Sequence, residues 1–300
     1  MMLIINQSVY TFSPVNQPVC SSAPGAPLLF KTMDCYSGQI RSEEQLIDEI
    51  DLAGVNPAAG PVFIEGAQPG DVLAVDILDI KVDEKGFACS IPSTGPLNSI
   101  SVARTKMIPV KDGYAHYNDI MWPICPMVGV IGTAPGQGSI PCGHAGNHGG
   151  NMDSRLIKKG SRLYLPVRTK GALLQMGDIH ATMGDGEICG NGLEIAGEIL
   201  VTTTLLKNFS LHWPVTESDS WWHVNATGKN YDEALLLASM ELCRLMQPVY
   251  KWDATDIFIY LSLQGNVEIN QGTRPVADEM VNVRIGIPKT AGKPPLIGPM

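Results

Sequence analysis

Glycine and proline are the residues that most restrict what this chain of 300 residues can fold into. It contains 31 glycines and 22 prolines, and both residue types interrupt helices and favour turns. Apolar residues make up 44% of the chain and charged residues 17%, which is typical of folded globular proteins. We therefore expect a substantial buried core that is built from many short strands joined by turns.

Local composition predicts where those strands and a few helices lie. Strand-like runs that are rich in β-branched and aromatic residues occupy 71–82, 161–167, 198–205, 257–263 and 281–287. Helix signals occur at 42–50, which has a serine start and an acidic first turn, and at 232–246, which stops before Pro248. The pattern predicts a mainly β fold, with a β-sandwich or barrel body over residues 1–210 and a smaller C-terminal α+β unit over residues 211–300.

Charge and cysteine usage exclude several classes of protein. The formal net charge is -9 and no basic cluster is present, so we expect no nucleic-acid partner. No segment approaches the ~20 apolar residues of a membrane span, and the N-terminus lacks the features of a signal peptide. The seven cysteines have no CxxC spacing, so neither a disulfide framework nor a thiolate zinc cage is expected, and a reducing cytoplasm is the predicted location.

The glycines concentrate in one part of the chain, where 16 of the 31 lie between positions 129 and 197. Polar and ionisable residues are interleaved with them, namely Asn147, His148, Asn151, Asp153, Asp178, His180, Asp185 and Glu187. Glycine allows a backbone to turn sharply and to approach a ligand closely. The segment therefore suits a metal or catalytic site, although plain turn chemistry in a β-rich protein would give the same composition.

The strongest single motif is a predicted hairpin around Asp185-Gly186, a dipeptide that favours a two-residue type I′ turn. In that register His180 faces Asn191, and the side chains of Asp178, His180 and Glu187 project on one side. Two carboxylates and an imidazole on one face predict a site for a divalent metal. A three-residue loop would instead send Glu187 to the face opposite His180. The separate alternative for His180 is an ordinary core histidine.

Two further segments contribute candidates. Within the glycine-rich stretch 143–153, His148 and Asp153 could reach the same site, or the backbone N–H groups there could polarise a substrate oxygen. Asp34 lies in a short polar loop near the N-terminus and is a weak candidate on its own. Cys142 and Cys189 are candidate thiolate nucleophiles, although the pattern favours a small buried residue at each position.

Taken together, the motifs resemble those of the acetamidase/formamidase family of amidohydrolases. The matching segments are DCYSGQI (34–40), GNHGGNMD (146–153), GSRLYLPV (160–167) and GALLQMGDIHATMGDGEICGNGLE (171–194). The resemblance runs nearly end to end and is weakest over 211–230 and 264–280. Departures at Val215 and Asn266 affect the expected choice of substrate more than the expected reaction.

This resemblance implies a β-rich, metal-dependent homo-oligomer that hydrolyses small neutral amides such as formamide or acetamide to the acid and ammonia. It implies metal ligands among Asp34, Asp153, Asp178, His180 and Glu187. It also implies that His148 is a metal-binding or catalytic position. The chemistry of the residues favours Glu187 as the general base if it is not a ligand, and the loop N–H groups at Gly149 and Gly150 could help to stabilise the oxyanion. Zinc is the expected metal, and calcium is the candidate for a second ion.

Two other functions compete with this interpretation. One is an amidase with a cysteine nucleophile, for which Cys142 or Cys189 would supply the thiolate. The other is a non-enzymatic, cupin-like β-sandwich binding module, in which His180 and Glu187 would resemble part of the cupin metal motif. Sensitivity to a chelator or to a thiol alkylator distinguishes the two enzymes, and binding without ammonia release would indicate the module.

Overall fold

The computed structural model describes residues 2–91, 94–273 and 280–298. Two α-helices lie in these ranges, α1 (Tyr231–Tyr250) and α2 (Ala254–Gln264). The strands of the same ranges are β1 (Leu3–Ile5), β2 (Ser8–Val9), β3 (Thr11–Phe12), β4 (Cys20–Ser22), β5 (Leu28–Thr32), β6 (Ala58–Ile64), β7 (Val72–Val82), β8 (Lys85–Ser90), β9 (Arg104–Lys111), β10 (Tyr114–Tyr117), β11 (Ile120–Pro123), β12 (Met127–Gly132), β13 (Ile140–Pro141), β14 (Ala145–Gly146), β15 (Gly149–Asn151), β16 (Arg162–Pro166), β17 (Leu174–His180), β18 (Glu194–Ile195), β19 (Gly197–Leu206), β20 (Val215–Glu217), β21 (Trp221–Gly228), β22 (Asn266–Gln271) and β23 (Val281–Pro288).

Most strands belong to two large sheets. One has nine strands in the order β1-β5-β19-β7-β16-β20-β21-β23-β22. The other has twelve strands, and its main path runs β11-β10-β9-β8-β18-β17-β12-β15-β14, while β6 joins it beside β17 and also pairs with β2 and β4. The prediction of a mainly β fold is therefore confirmed.

The larger hydrophobic core lies between these two sheets. Leu28 of β5 and Val75 of β7 come from the nine-stranded sheet, and Val62 of β6 and Val128 of β12 come from the other, and all four are fully buried in one apolar cluster. Residues two apart on a strand share a face, so each sheet contributes alternate side chains to this layer. The core holds the two sheets in the sandwich arrangement that the strand composition suggested.

A second apolar cluster forms at the C-terminal end of the nine-stranded sheet, where α1 packs against β21 and β23. Ala238, Leu242 and Met246 of α1 are buried there, and they repeat at the spacing of one helix face. The predicted C-terminal unit with helices is therefore confirmed. Because the nine-stranded sheet continues from β19 through β16 to β23, the exact boundary near residue 210 stays a prediction.

Four of the five predicted strands are confirmed with shifts of one residue at their ends, as β7, β16, β19 and β23. The prediction of a strand at 257–263 is wrong, because this segment forms α2. The Asp253 side chain accepts a hydrogen bond from the Asp256 N–H and begins the helix. Only Ile257 and Leu261, one helical turn apart, are buried. The apolar composition of the segment is that of a strand, but the spacing of its buried residues is that of a helix.

The two helix predictions also need correction. Within 42–50 only the 3-10 turn Ile47–Glu49 forms. Helix α1 continues past Pro248 and ends at Tyr250, where Lys251 adopts a left-handed conformation and its N–H closes the last turn on Gln247. Proline in the last turn removes only one backbone hydrogen bond, so it does not end the helix. In the described ranges no helix combines the length and the apolar character that crossing a membrane requires.

The core assignment predicts a large difference between two leucines of the nine-stranded sheet. Leu28 is fully buried, whereas Leu78 of β7 is 42% exposed. We expect Leu28→Ala to lower the free energy of unfolding by about 2–5 kcal/mol through lost burial and a cavity, and the matched Leu78→Ala by less than about 1 kcal/mol. Urea unfolding measures both values, and equal losses would contradict the packing described here.

Candidate active site

A small cavity lies between strands β15 and β17 and the loop 181–193 that connects β17 to β18. Its volume is about 60 Å³. The ionisable groups that line it include Asp153, Asp178, His180, Glu187 and Glu194, and each is at most 5% exposed. Four carboxylates and one imidazole thus share a site that is almost closed to water.

The imidazole of His180 stands in the centre of these carboxylates. Its Nε2 lies 3.1 Å from Glu194 Oε1 and 3.5 Å from Asp178 Oδ1. The same nitrogen lies 3.9 Å from Asp153 Oδ1 and 3.9 Å from Glu187 Oε1. Because one nitrogen can donate only one hydrogen, it cannot satisfy four acidic groups.

Burial and mutual repulsion shift the acid–base properties of the cluster. Burial, together with the charges of Glu187 and Asp178, holds the pKa of Asp153 well above its usual value. Burial also raises the pKa of Glu194, and that of Glu187 to about 7. Burial alone would lower the pKa of His180, but the neighbouring carboxylates outweigh it and raise this pKa well above its usual value. The four acids therefore cannot all be ionised unless further positive charge is present.

The predicted hairpin register at this site is wrong. His180 pairs with Glu194 across β17 and β18, not with Asn191, and residues 181–193 form a long loop instead of a two-residue turn. Gly186 pairs in parallel with Gln271 of β22, so the Asp-Gly dipeptide lies beside another strand and does not form the predicted two-residue turn. The loop folds back over β17, and Asp178, His180 and Glu187 converge by this different route.

Three of the acidic residues have an unusual backbone. Asp153, Asp178 and Glu187 have φ angles of 44°, 58° and 45°, in the left-handed region that non-glycine residues seldom occupy. Each such residue costs about 1–3 kcal/mol, and such residues cluster at functional sites. The fold thus accepts local strain in order to aim three carboxylates at one point.

Gly129 of β12 lets two of these carboxylates approach each other. A Cβ atom at this position would lie 2.5 Å from Asp153 Oδ1 and 2.6 Å from Asp178 Oδ2, which is far closer than atoms can pack. The absence of a side chain at Gly129 is therefore what makes room for both acids.

Gln271, at the end of β22, links two acids that are distant in sequence. Its Nε2 donates hydrogen bonds to Asp153 Oδ2 and to Glu187 Oε2, both at 2.7 Å. The backbone supports this placement, because Gly186 N donates to Asn270 O and Gly272 N donates to Gly186 O. Gln271 therefore fixes the separation of the two carboxylates.

The donor atoms are suitable for a divalent metal ion. Asp153, His180 and Glu187 each offer an atom within 4.8 Å of the others, and so do Cys35, Asp178 and Glu194. Among the described residues, Asp153 Oδ1, Asp178 Oδ1 and Glu194 Oε2 are buried without a hydrogen-bond partner. Unpaired buried acceptors are costly, and a cation in their midst would satisfy them and let the acids ionise.

Comparison with known proteins adds independent information. The family model described as the Acetamidase/Formamidase family matches residues 11–141 and 136–238. The chain belongs to this family. The resemblance seen in the sequence motifs is thereby confirmed.

Solved structures of family relatives share the whole fold. A recombinant predicted acetamidase/formamidase from Thermoanaerobacter tengcongensis is 38% identical, with a TM-score of 0.91 over 96% of each chain. The acetamidase from Bacillus halodurans is 34% identical, with a TM-score of 0.91 over 95% of this chain and 97% of that one. The formamidase of Methylophilus methylotrophus is 28% identical over 62% of this chain. This match covers only 60% of the length of that curated relative.

Asp34, which the family resemblance implied as a ligand, lies beside the cluster and not in it. Its Oδ1 accepts hydrogen bonds from the N–H groups of Tyr36 and Gly38, as is usual for an aspartate that shapes a turn. The neighbouring Cys35 lines the cavity instead. A metal-binding role for Asp34 stays a prediction, and its Oδ1 already stabilises the turn that follows it.

His148, Gly149 and Gly150 are not among the residues that line the cavity. The His148 ring is fully buried and packs edge-on against Phe12, with ring centroids 4.8 Å apart. Gly149 and Gly150 lie in β15, which pairs with β12 on one side and β14 on the other. Pairing on both sides uses the backbone hydrogen-bonding groups of this strand. The positions of these three residues therefore do not support their predicted roles in catalysis.

The sequence motifs did not single out three residues at the site, Glu194, Gln271 and Cys35. Glu194 ends the longest family-like segment, and pairing in the correct register would have placed it opposite His180. Gln271 lies in the stretch of weakest resemblance, so no local signal pointed to it. Cys35 adjoins Asp34 within a matching motif, but its thiol is buried, and burial keeps its pKa well above the usual value.

The tight packing at Gly129 leads to a prediction about activity. In Gly129→Ala the new methyl group must displace Asp153 or Asp178. Since misplacement of a catalytic or metal-binding group by ~1 Å can cost about 100-fold, we expect any turnover at this site to fall by about that factor. Gly184→Ala is the matched control, because nothing lies within 4 Å of a Cβ there. Equal activities of the two variants would show that the acids tolerate displacement.

A second prediction concerns the buried imidazole of His148. Burial, with the charge of Arg168 nearby, lowers the pKa of His148 to about 3, below the value of about 6.5 in an unfolded chain. The folded protein therefore binds fewer protons, and its stability is complete above pH 6.5 and falls as the pH drops. Between pH 6.5 and 4 we expect a loss of about 3 kcal/mol from this group.

Urea unfolding at several pH values measures the effect. In His148→Gln, which has no titrating ring, the fall in stability between these pH values should be smaller by about that amount. An identical pH dependence in wild type and variant would mean that His148 does not titrate as its burial indicates.

Proposed function

We propose that this protein hydrolyses short linear amides, such as formamide and acetamide, to the carboxylic acid and ammonia at the cavity around His180. The observation that carries the proposal is the group of four buried carboxylates around one imidazole, which is a suitable set of donors for a cation. Membership of the Acetamidase/Formamidase family supports the reaction. Relatives named formamidase and acetamidase support the class of substrate.

A divalent metal, zinc first, would be held by His180 together with Asp153 and Asp178, whose Oδ1 atoms both lie within 4 Å of its Nε2. Mixed nitrogen and carboxylate ligands suit zinc. Such an ion supplies a water molecule of lowered pKa and polarises the substrate carbonyl. A second ion, for which calcium is the candidate, would draw on Asp178 and Glu194 and their oxygen atoms.

Glu187 is then the proton carrier. Its Oε1 lies 3.9 Å from His180 Nε2, so a carboxylate stands beside the proposed ligands, where a general base is needed. Its Oε2 is held by Gln271 at 2.7 Å, so Oε1 is the oxygen that takes the proton of the attacking water and returns it to the departing nitrogen. The products are then the carboxylic acid and ammonia.

The size of the cavity supports a short acyl group. Its volume of about 60 Å³ corresponds to roughly four to six water molecules at about 10–15 Å³ each. This space suits the attacking water and an amide with one or two carbons. Assembly into a homo-oligomer and a cytoplasmic location belong to the same proposal as consequences of the resemblance and of the cysteine pattern.

Metal content and turnover test the proposal together. We expect the purified protein to contain zinc, to release ammonia from acetamide, and to lose activity on chelation and regain it with added metal. His180→Ala removes the central ligand, so its metal content should fall by at least about tenfold together with ammonia release. His116→Ala is the matched control, because His116 is exposed on β10. Full activity in His180→Ala would refute the proposed site.

The cysteine nucleophile is the second candidate, and the observation in its favour is that Cys35 lines the cavity. Burial keeps the pKa of Cys35 well above its usual range and raises that of Cys142 to about 12, so both thiols are protonated at neutral pH and are poor nucleophiles. Loss of activity on alkylation, with indifference to a chelator, would favour this candidate. Amide binding without ammonia release would favour the cupin-like module.

A further inference from the structure

Two buried amide side chains on the cavity have carbonyl oxygens without a hydrogen-bond partner among the described residues. Gln271 and Asn151 both line the cavity, and they are 4% and 6% exposed. In the part of the chain that the structure describes, Gln271 Oε1 and Asn151 Oδ1 have no hydrogen-bond partner. A buried acceptor without a donor costs about 1–3 kcal/mol, so a ligand that brings N–H groups would gain by pairing with them.

The orientation of the Gln271 amide is fixed by its neighbours. Both hydrogens of Nε2 are used, one toward Asp153 Oδ2 and the other toward Glu187 Oε2. Reversing the amide would bring Oε1 against two carboxylates, which is repulsive. The one polar atom of the Gln271 side chain that remains without a partner among the described residues is therefore the acceptor Oε1.

In the proposed function the substrate nitrogen lies near Glu187, the residue that Gln271 contacts. Glu187 returns a proton to the departing nitrogen in the proposed function, and Gln271 contacts Glu187 directly at 2.7 Å. A nitrogen within reach of Glu187 Oε1 therefore lies beside the Gln271 amide. Asn151 approaches the same cavity from β15 and offers a second acceptor.

We propose that Gln271 is a specificity-determining residue, whose Oε1 accepts a hydrogen bond from the –NH2 group of the substrate, with Asn151 Oδ1 as the second acceptor. A primary amide has two N–H donors on that nitrogen, an N-alkyl amide has one, and an ester has none. The site therefore selects primary amides over N-alkyl amides and esters of the same acyl group. This inference rests on the proposed function.

Gln271→Met tests the inference, because methionine has a similar length and neither a carbonyl oxygen nor an amide nitrogen. The kcat/KM of wild type and variant is measured with acetamide, N-methylacetamide and methyl acetate at equal metal loading. The last two substrates have nearly the same shape, so differences between them report N–H donation and not size. We expect the variant to lose about 10- to 100-fold more kcat/KM with acetamide than with methyl acetate.

A purely positioning role gives a different result. If Gln271 only holds Asp153 and Glu187 in place, its loss impairs attack on all three substrates by the same factor, and this outcome would overturn the inference. The ratio of the acetamide loss to the methyl acetate loss is therefore the deciding quantity. Wild-type protein that hydrolyses none of the three substrates would refute the proposed function itself, which is a separate result.

Two further measurements keep the inference testable if Gln271→Met does not fold. Asn151→Ala should show a smaller loss that is again selective for acetamide, because one acceptor remains. Wild-type protein alone should favour acetamide over N-methylacetamide by about tenfold or more, as the loss of one buried hydrogen bond implies. Equal use of the two amides by the wild type would overturn the inference without any variant.

Discussion

The repulsion between four buried carboxylates is the interaction on which the rest of this structure depends. Asp153, Asp178, Glu187 and Glu194 surround His180 and are almost completely removed from water. Ionising all of them in such a place is prohibitively costly without compensating positive charge. The fold therefore has to hold together a set of groups that on their own would move apart or stay protonated, and most unusual features of the site serve that purpose.

Backbone conformation helps to hold the acidic side chains together. Left-handed conformations at Asp153, Asp178 and Glu187 direct their side chains inward, and Gly129 leaves room for two of them. Gly192 plays a similar part, since a Cβ atom there would lie 2.6 Å from His180 Nδ1. These costs are local, and the apolar layer between the two large sheets supplies the stability that offsets them.

The sequence predicted the parts of this arrangement that depend on local pattern. β-branched runs identified β7, β16, β19 and β23, and the clustering of glycine with acidic residues identified the region of the site. The features of the site that the sequence did not predict depend on pairing between distant segments. Asp185-Gly186 has the composition of a hairpin turn, yet Gly186 pairs with Gln271 of β22. Local sequence spacing cannot predict a contact between segments that lie so far apart in the chain. For the same reason Glu194 and Gln271 were missed, although a correct register would have revealed Glu194.

The C-terminal strands support the site through the buried charge of Arg284. Arg284 of β23 is 1% exposed. It donates two hydrogen bonds to Asp185 at 2.8 Å and one to Glu268 of β22 at 2.7 Å. It thereby ties the loop that carries Glu187 to the strand that ends in Gln271.

Residues before position 210 supply His180 and the four carboxylates around it. In the proposed function the C-terminal strands set where the loop rests and which amide oxygen meets the substrate. Sequence change between 264 and 280, where the resemblance to the family is weakest, would then alter recognition of the leaving group first. The acidic residues around His180 lie outside this stretch, but Gln271 holds two of them in place, so a change at position 271 would also disturb the proposed cleavage.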